Sequence, residues 1–214
     1  MQEHELEHTE KGISRFFDDE SVSFAKKHDE KGVPWSAQAQ IDDIVLSGAK
    51  TAIDVGSGPG SVMKGMIEGG LDHVAGVDLS DDMNKLALER LEYANIDASK
   101  YSITNESFLS LEHQKVDAIS LHRVLCCHPD REGMLDKSIS YNPKIISLTV
   151  PRPWLLMKLV IKIYAFFAKR KGNFHPYGHS QKGIDNQLLN NKYEIIARKK
   201  GFAWVQTTYK LVED

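Results

Sequence analysis

TAIDVGSGPG, residues 51–60, joins a short apolar run to a cluster of three glycines. The run TAIDV (51–55) is branched and free of turn residues, as a buried strand is. Gly56, Gly58 and Gly60 supply the permissive backbone that a sharp strand-to-helix turn needs. They also leave no Cβ between the backbone and a ligand at the carboxyl edge of a sheet. A second apolar run, HVAGVD (73–78), ends in Asp78, about 20 residues past the turn. An acid at that spacing meets ribose hydroxyls in dinucleotide-binding folds. A tight turn with an acidic loop and no ligand is the plainer reading. The joint occurrence of strand, glycines and spaced acid argues against it.

Strand and helix alternate outward from this turn. Helices are expected over 61–69, 80–94 and 130–140, with Ser80 as an N-cap. Strands are expected over 101–106, 116–122 and 144–150, the last ended by Pro151 and Pro153. Such alternation implies right-handed crossovers and a mostly parallel sheet covered on both faces, an α/β class. Residues 36–48 read as a helix with Ile41, Ile44, Val45 and Leu46 inward, and 12–31 as another with Ile13, Phe16, Phe17 and Phe24 at helical spacing. The polar start, 1–11, reads as disordered or frayed. Residues 181–200 look helical, and 202–211 form one long strand.

Two details separate this turn from a nicotinamide site. The glycines run GxGxG, not GxGxxG. Asp54 would repel a pyrophosphate but suits a ligand bearing an amino group and a sulfonium charge. DVGSGPG together with VDLSDDM resembles the first two motifs of the class I S-adenosylmethionine-dependent methyltransferases. DAISLHRVLCCHPDREGML (117–135) and RFFDDESVSFAKKHDEKG (15–32) are similar to a subgroup related to magnesium-protoporphyrin O-methyltransferases. The resemblance implies a Rossmann-like fold with an N-terminal helical cap and S-adenosyl-L-methionine as cofactor. It places Asp54, Gly56, Ser57, Gly58 and Gly60 by the methionine part, Asp78 at the ribose, and Leu79 and Met83 beside the adenine. Glu106, Ser107 and Phe108 form the loop after the third strand. Ser107 stands where the family has an acid for the adenine amino group, and Glu106 is one place early. A further departure is the C-terminus, where only one of the family's two final strands is evident.

Methyl transfer is an in-line displacement, so the protein mainly holds nucleophile and methyl aligned. A hydroxyl or amine acceptor needs a base, and His122 at the end of the fourth strand is the candidate. A histidine with only a structural hydrogen bond is the equal alternative. Arg123, His128 and Asp130 are weaker candidates for substrate contact. Cys126 and Cys127 are adjacent, which fits neither a disulfide nor zinc spacing. No metal is expected there or at His175 and His179.

The 214 residues fit a single domain: a cap over 1–48, a cofactor core over 49–150, a substrate-side insertion over 151–180, and a C-terminal helix and strand over 181–214. Residues 1–143 carry a charge of -12 and residues 144–214 one of +9. The net charge of -3 argues against nucleic acid as partner, and the acidic start against export, so a cytoplasmic enzyme with a small-molecule acceptor is expected. Residues 154–171 are apolar with only basic charges, yet too short and interrupted to span a bilayer. They read either as a core-packing helix or as a lid that rests on an anionic membrane surface. The subgroup hints at O-methylation of a lipophilic molecule. A non-catalytic cofactor-binding scaffold and an NAD-dependent dehydrogenase are the competing readings.

Overall fold

The computed structural model describes residues 3–152, 174 and 176–212. Helices α1 (Glu3–Lys31) and α2 (Trp35–Leu46) precede strand β1 (Thr51–Val55). The alternation continues through α3 (Ser61–Glu68), β2 (His73–Val77), α4 (Asp81–Tyr93), β3 (Tyr101–Thr104), β4 (Ala118–His122), α5 (Arg131–Ser140) and β5 (Ile145–Pro151). After the stretch that includes 154–171, which lies outside the described residues, come α6 (Gln181–Asn190), β6 (Tyr193–Lys200) and β7 (Trp204–Leu211). The seven strands lie in the order β3-β2-β1-β4-β5-β7-β6. β1 to β5 are mutually parallel where they pair, and β7 runs antiparallel to both β5 and β6.

Alternating side chains feed two cores. Ile53, Val55, Ile119, Leu121, Ile146 and Leu148 face a cluster completed by Leu135, Ile184, Leu188 and Tyr209. Ala52, Val74, Ala118 and Ile145 face the other, built with Ile41, Ile44, Met63, Met66 and Leu91. Ser80 does cap α4, its Oγ accepting from Met83 N at 3.0 Å.

Three expectations are corrected. Residues 3–11 belong to α1 rather than to a frayed start, with Glu7 and Lys11 paired at 2.7 Å across one turn. Residues 193–200 form strand β6, not the end of a helix, so the C-terminus is a helix followed by two strands and the final antiparallel pair is present. β6 is an edge strand with a bulge between Ile195 and Ala197. The bulge puts Ile195 and Ile196 both at the surface and erases the period-two pattern that marks strands. Leu46 is not inward: at the last position of α2 it is 84% exposed.

Candidate active site

The turn after β1 is bonded across to β2. The Gly56 and Ser57 amides donate to Val77 O at 2.7 and 3.3 Å. Gly56, Gly58 and Gly60 all have positive φ, at 61°, 51° and 74°. Their surroundings differ. A Cβ on Gly56 would sit 2.5 Å from Val124 Cγ2, and one on Gly60 would sit 3.0 Å from the Ala87 backbone. A Cβ on Gly58 would meet nothing within 4 Å. Gly56 and Gly60 therefore serve close packing, whereas Gly58 faces open space at the mouth of the sheet.

The carboxylates around this space are built differently. Asp54 is buried, and one carboxylate oxygen, Oδ2, has no hydrogen-bond partner among the described residues. Burial pushes its pKa up to about 7, the Ser120 hydroxyl opposing and the Asp78 charge reinforcing the shift. Ser57 Oγ is also buried and unpartnered among the described residues. Asp78 accepts from Gly58 N at 2.8 Å on one oxygen and from Ser80 N at 2.9 Å on the other. Burial raises its pKa, and these two amides work against that rise. The orphaned Asp54 oxygen and the Ser57 hydroxyl oxygen can both accept, which fits a cationic amino group that only donates. Each Asp78 oxygen keeps a lone pair for a hydroxyl. The residues thus fit the amino-acid and ribose parts of S-adenosylmethionine.

At the end of β4, His122 Nε2 lies 3.0 Å from Ser36 Oγ. Arg123 Nη2 donates to the same oxygen at 3.4 Å and stacks over the Trp204 ring at 4.3 Å. Ser36 Oγ thus bridges the His122 ring and the Arg123 guanidinium and holds both in place. Ser36 belongs to a polar seam along α2. Gln40 donates to Ser147 O at 2.8 Å and accepts from Thr149 Oγ1 at 2.6 Å. Asp43 accepts from Gln206 Nε2 at 2.9 Å and from Thr208 Oγ1 at 2.7 Å. Residues 36, 40 and 43 share one helix face, so the seam fixes α2 on the sheet and Ser36 against His122.

Helix α1 lies over the same edge. Asp18 accepts from Ser80 Oγ at 2.6 Å, adding a carboxylate to the N-terminus of α4. Glu10 accepts from Ser107 Oγ at 2.5 Å. Phe16 and Phe17 pack on Phe174 with ring centroids 4.8 and 5.8 Å apart, and Phe24 joins Phe17 at 5.9 Å.

The structure therefore brings Asp54, Ser57, Gly58 and Asp78 together at one mouth, with Leu79 half-buried beside them. Met83 and Phe108 are core residues, Phe108 stacking on Tyr141 at 5.9 Å. Burial raises the pKa of the Tyr141 phenol, and the Glu106 charge adds to the rise. Asp130 caps α5 through Gly133 N at 2.8 Å. Cys126 and Cys127 are free, and both thiols point to Arg123 O, at 3.2 and 3.3 Å. His179 holds its loop to His128 O at 2.8 Å. Ser36, Glu10 and Asp18 were not singled out from sequence, because no local pattern distinguishes them from other polar helix residues.

A methyltransferase-domain family profile matches residues 52–140, which span β1 to α5. Phosphoethanolamine N-methyltransferase 2 of Caenorhabditis elegans is 29% identical over 160 residues, 74% of this chain. The chain spans about a third of that relative's length, 33%. A magnesium protoporphyrin IX methyltransferase of Synechocystis with bound S-adenosylhomocysteine superposes with a TM-score of 0.73 at 18% identity, covering 95% of this chain and all of the other. The same protein with bound S-adenosylmethionine gives 0.69 at 17% identity, covering 95% and 97%. With the 3-2-1-4-5-7-6 sheet, the glycine turn and these matches in hand, the chain has the fold of the class I S-adenosylmethionine-dependent methyltransferases, and its residues 52–140 match a methyltransferase domain.

Proposed function

We propose that this methyltransferase acts on a small, lipophilic acceptor, with oxygen as the favoured acceptor atom. The carrying observation is the mouth itself: an open cradle over Gly58, flanked by the orphaned Asp54 oxygen and the laced Asp78 carboxylate. S-adenosylmethionine supplies a methyl group activated by its positive sulfur. Asp54, Ser57 and Gly58 hold the amino-acid end, Gly56 and Gly60 pack the turn that presents them, and Asp78 holds the ribose hydroxyls. Leu79 lies against the adenine, with Met83, Glu106, Ser107 and Phe108 shaping its surroundings. His122 takes the acceptor's proton, with its ring oriented by Ser36 Oγ, 3.0 Å from Nε2. The half-buried phenylalanines 16, 17, 24 and 174 give the cap an apolar cluster suited to a lipophilic acceptor.

The test is an untargeted comparison of methylated metabolites from cells with and without the protein, followed by purified enzyme on the candidates. An apolar product carrying a new O-methyl group supports the reading. A methylated amine moves it toward the chemistry named for the nematode relative. Cofactor binding with no methylated product supports a non-catalytic role.

Peripheral membrane contact through 154–171 extends this proposal. At the carboxyl edge of the sheet, the β6–β7 tip presents Phe202, 76% exposed, near Lys199 and Lys200 in sequence. No helix among the described residues is long and apolar enough to cross a membrane. Sedimentation with anionic vesicles is expected to fall with salt and with Lys169, Arg170 and Lys171 changed to Gln. No binding at low salt rules the contact out.

A further inference from the structure

We infer that Glu10, on the cap helix, reads the adenine base of the cofactor, with His128 as its complement. The inference rests on the cofactor reading above.

Along the sheet edge the order is β3-β2-β1, so a ligand whose amino-acid end meets the β1 turn and whose ribose meets Asp78 extends its base toward the loop after β3. That loop offers the Ser107 hydroxyl, and the carboxylate beside it comes from α1. Glu10 accepts from Ser107 Oγ, and its side chain is 15% exposed. A carboxylate has about four acceptor positions, so capacity remains for a further N–H. His128 Nδ1 accepts from Asp130 N at 3.2 Å, which places the imidazole proton on Nε2. That Nε2 is buried, with no hydrogen-bond partner among the described residues. It points at Glu10 Oε1 from 3.7 Å, too far for a bond between them.

The site thus holds one acceptor and one donor side by side, each short of a partner. The edge of adenine carries the complementary pair, an amino N–H next to a ring nitrogen acceptor. Hypoxanthine carries the reverse: an oxo acceptor next to a ring N–H. Glu10 is the carboxylate bonded to this loop through Ser107, which fixes it at this place.

The experiment is calorimetric titration of the full chain with S-adenosylhomocysteine and with S-inosylhomocysteine, in which the amino group is replaced by oxo. Wild-type protein is expected to prefer the adenine form by about 10-fold or more. In Glu10→Gln the preference falls below about threefold or inverts, because the amide can turn its NH2 toward the oxo group. Glu10→Ala controls for the cap, and circular dichroism confirms folding of each variant. If both substitutions weaken the two ligands equally, Glu10 only holds the cap and the inference is overturned. A wild-type preference retained in Glu10→Gln overturns it as well. Wild-type protein that binds neither ligand overturns the cofactor reading itself, a result that no variant could mimic.

Discussion

The turn after β1 and the cap helix α1 lie at the same edge of the sheet but are held in opposite ways. The turn is fixed by its own backbone: three glycines at positive φ, two amides on Val77 O, and Asp78 laced to Gly58 and Ser80. Every residue of β1 beyond Thr51 is buried. The cap is fixed by side chains reaching far along the chain, Glu10 to Ser107 and Asp18 to Ser80, and by a half-buried phenylalanine cluster. Elements held by a few half-exposed contacts open at lower free energy than a core strand does. On the proposed reading, the common part of the reaction sits on the region fixed by its own backbone. On the same reading, the parts that choose base and acceptor sit on the region held by side chains.

The largest expected effect breaks the rigid region. Gly58→Val places a branched side chain at φ 51° in the open cradle. Cofactor affinity should fall on the order of 100-fold while the protein still folds, read by calorimetry and thermal melting. Gly56→Ala is its contrast. There the added methyl meets Val124, so the loss should appear as about 1–3 kcal/mol of stability. If the two variants behave alike, the division of labour among the glycines is wrong.

On the acceptor side, His122→Ala should lower turnover on the true substrate on the order of 100-fold with little change in cofactor affinity. Ser36→Ala should lower it less, since the ring remains while its orientation is lost. Unchanged turnover in His122→Ala removes the base from the account.

The pH dependence is gentler. Asp54 titrates at about 7 without cofactor, and only its charged form pairs well with a cationic amino group. Affinity should therefore fall by up to about tenfold per unit as pH drops below 7, and Asp54→Asn should flatten the profile. Stability of the cofactor-free protein runs the other way. The folded pKa lies above the unfolded value of 3.8, so this group's contribution is full below 3.8 and is lost as pH rises through about 7. An affinity that does not change between pH 6 and 8 contradicts the pairing.

The same contrast explains what could be read from the sequence. β1 to β5, the glycine turn and Asp78 follow from short runs whose meaning is local, and they stand where the sequence puts them. β6 was hidden because its bulge sets Ile195 and Ile196 outward together, a pattern closer to a helix face than to a strand. The helical start at Glu3 was hidden because polarity there reads as solvent exposure, whereas Glu10 turns inward to Ser107. Ser36 and His122 are 86 residues apart, and Glu10 and Ser107 are 97 apart. No periodicity in a single sequence reports such pairs.

Asp78 is the residue at which the whole cofactor reading converges, and titration of Asp78→Ala with S-adenosylmethionine tests it most directly. The substitution removes the acceptor for Gly58 and Ser80 and, on this account, both ribose hydrogen bonds. Charge-assisted bonds contribute about 1.5–3 kcal/mol each, so affinity should fall by about 100-fold or more in a variant that still melts cooperatively. Wild-type affinity in folded Asp78→Ala would contradict the ribose assignment and the placement of the cofactor along this edge.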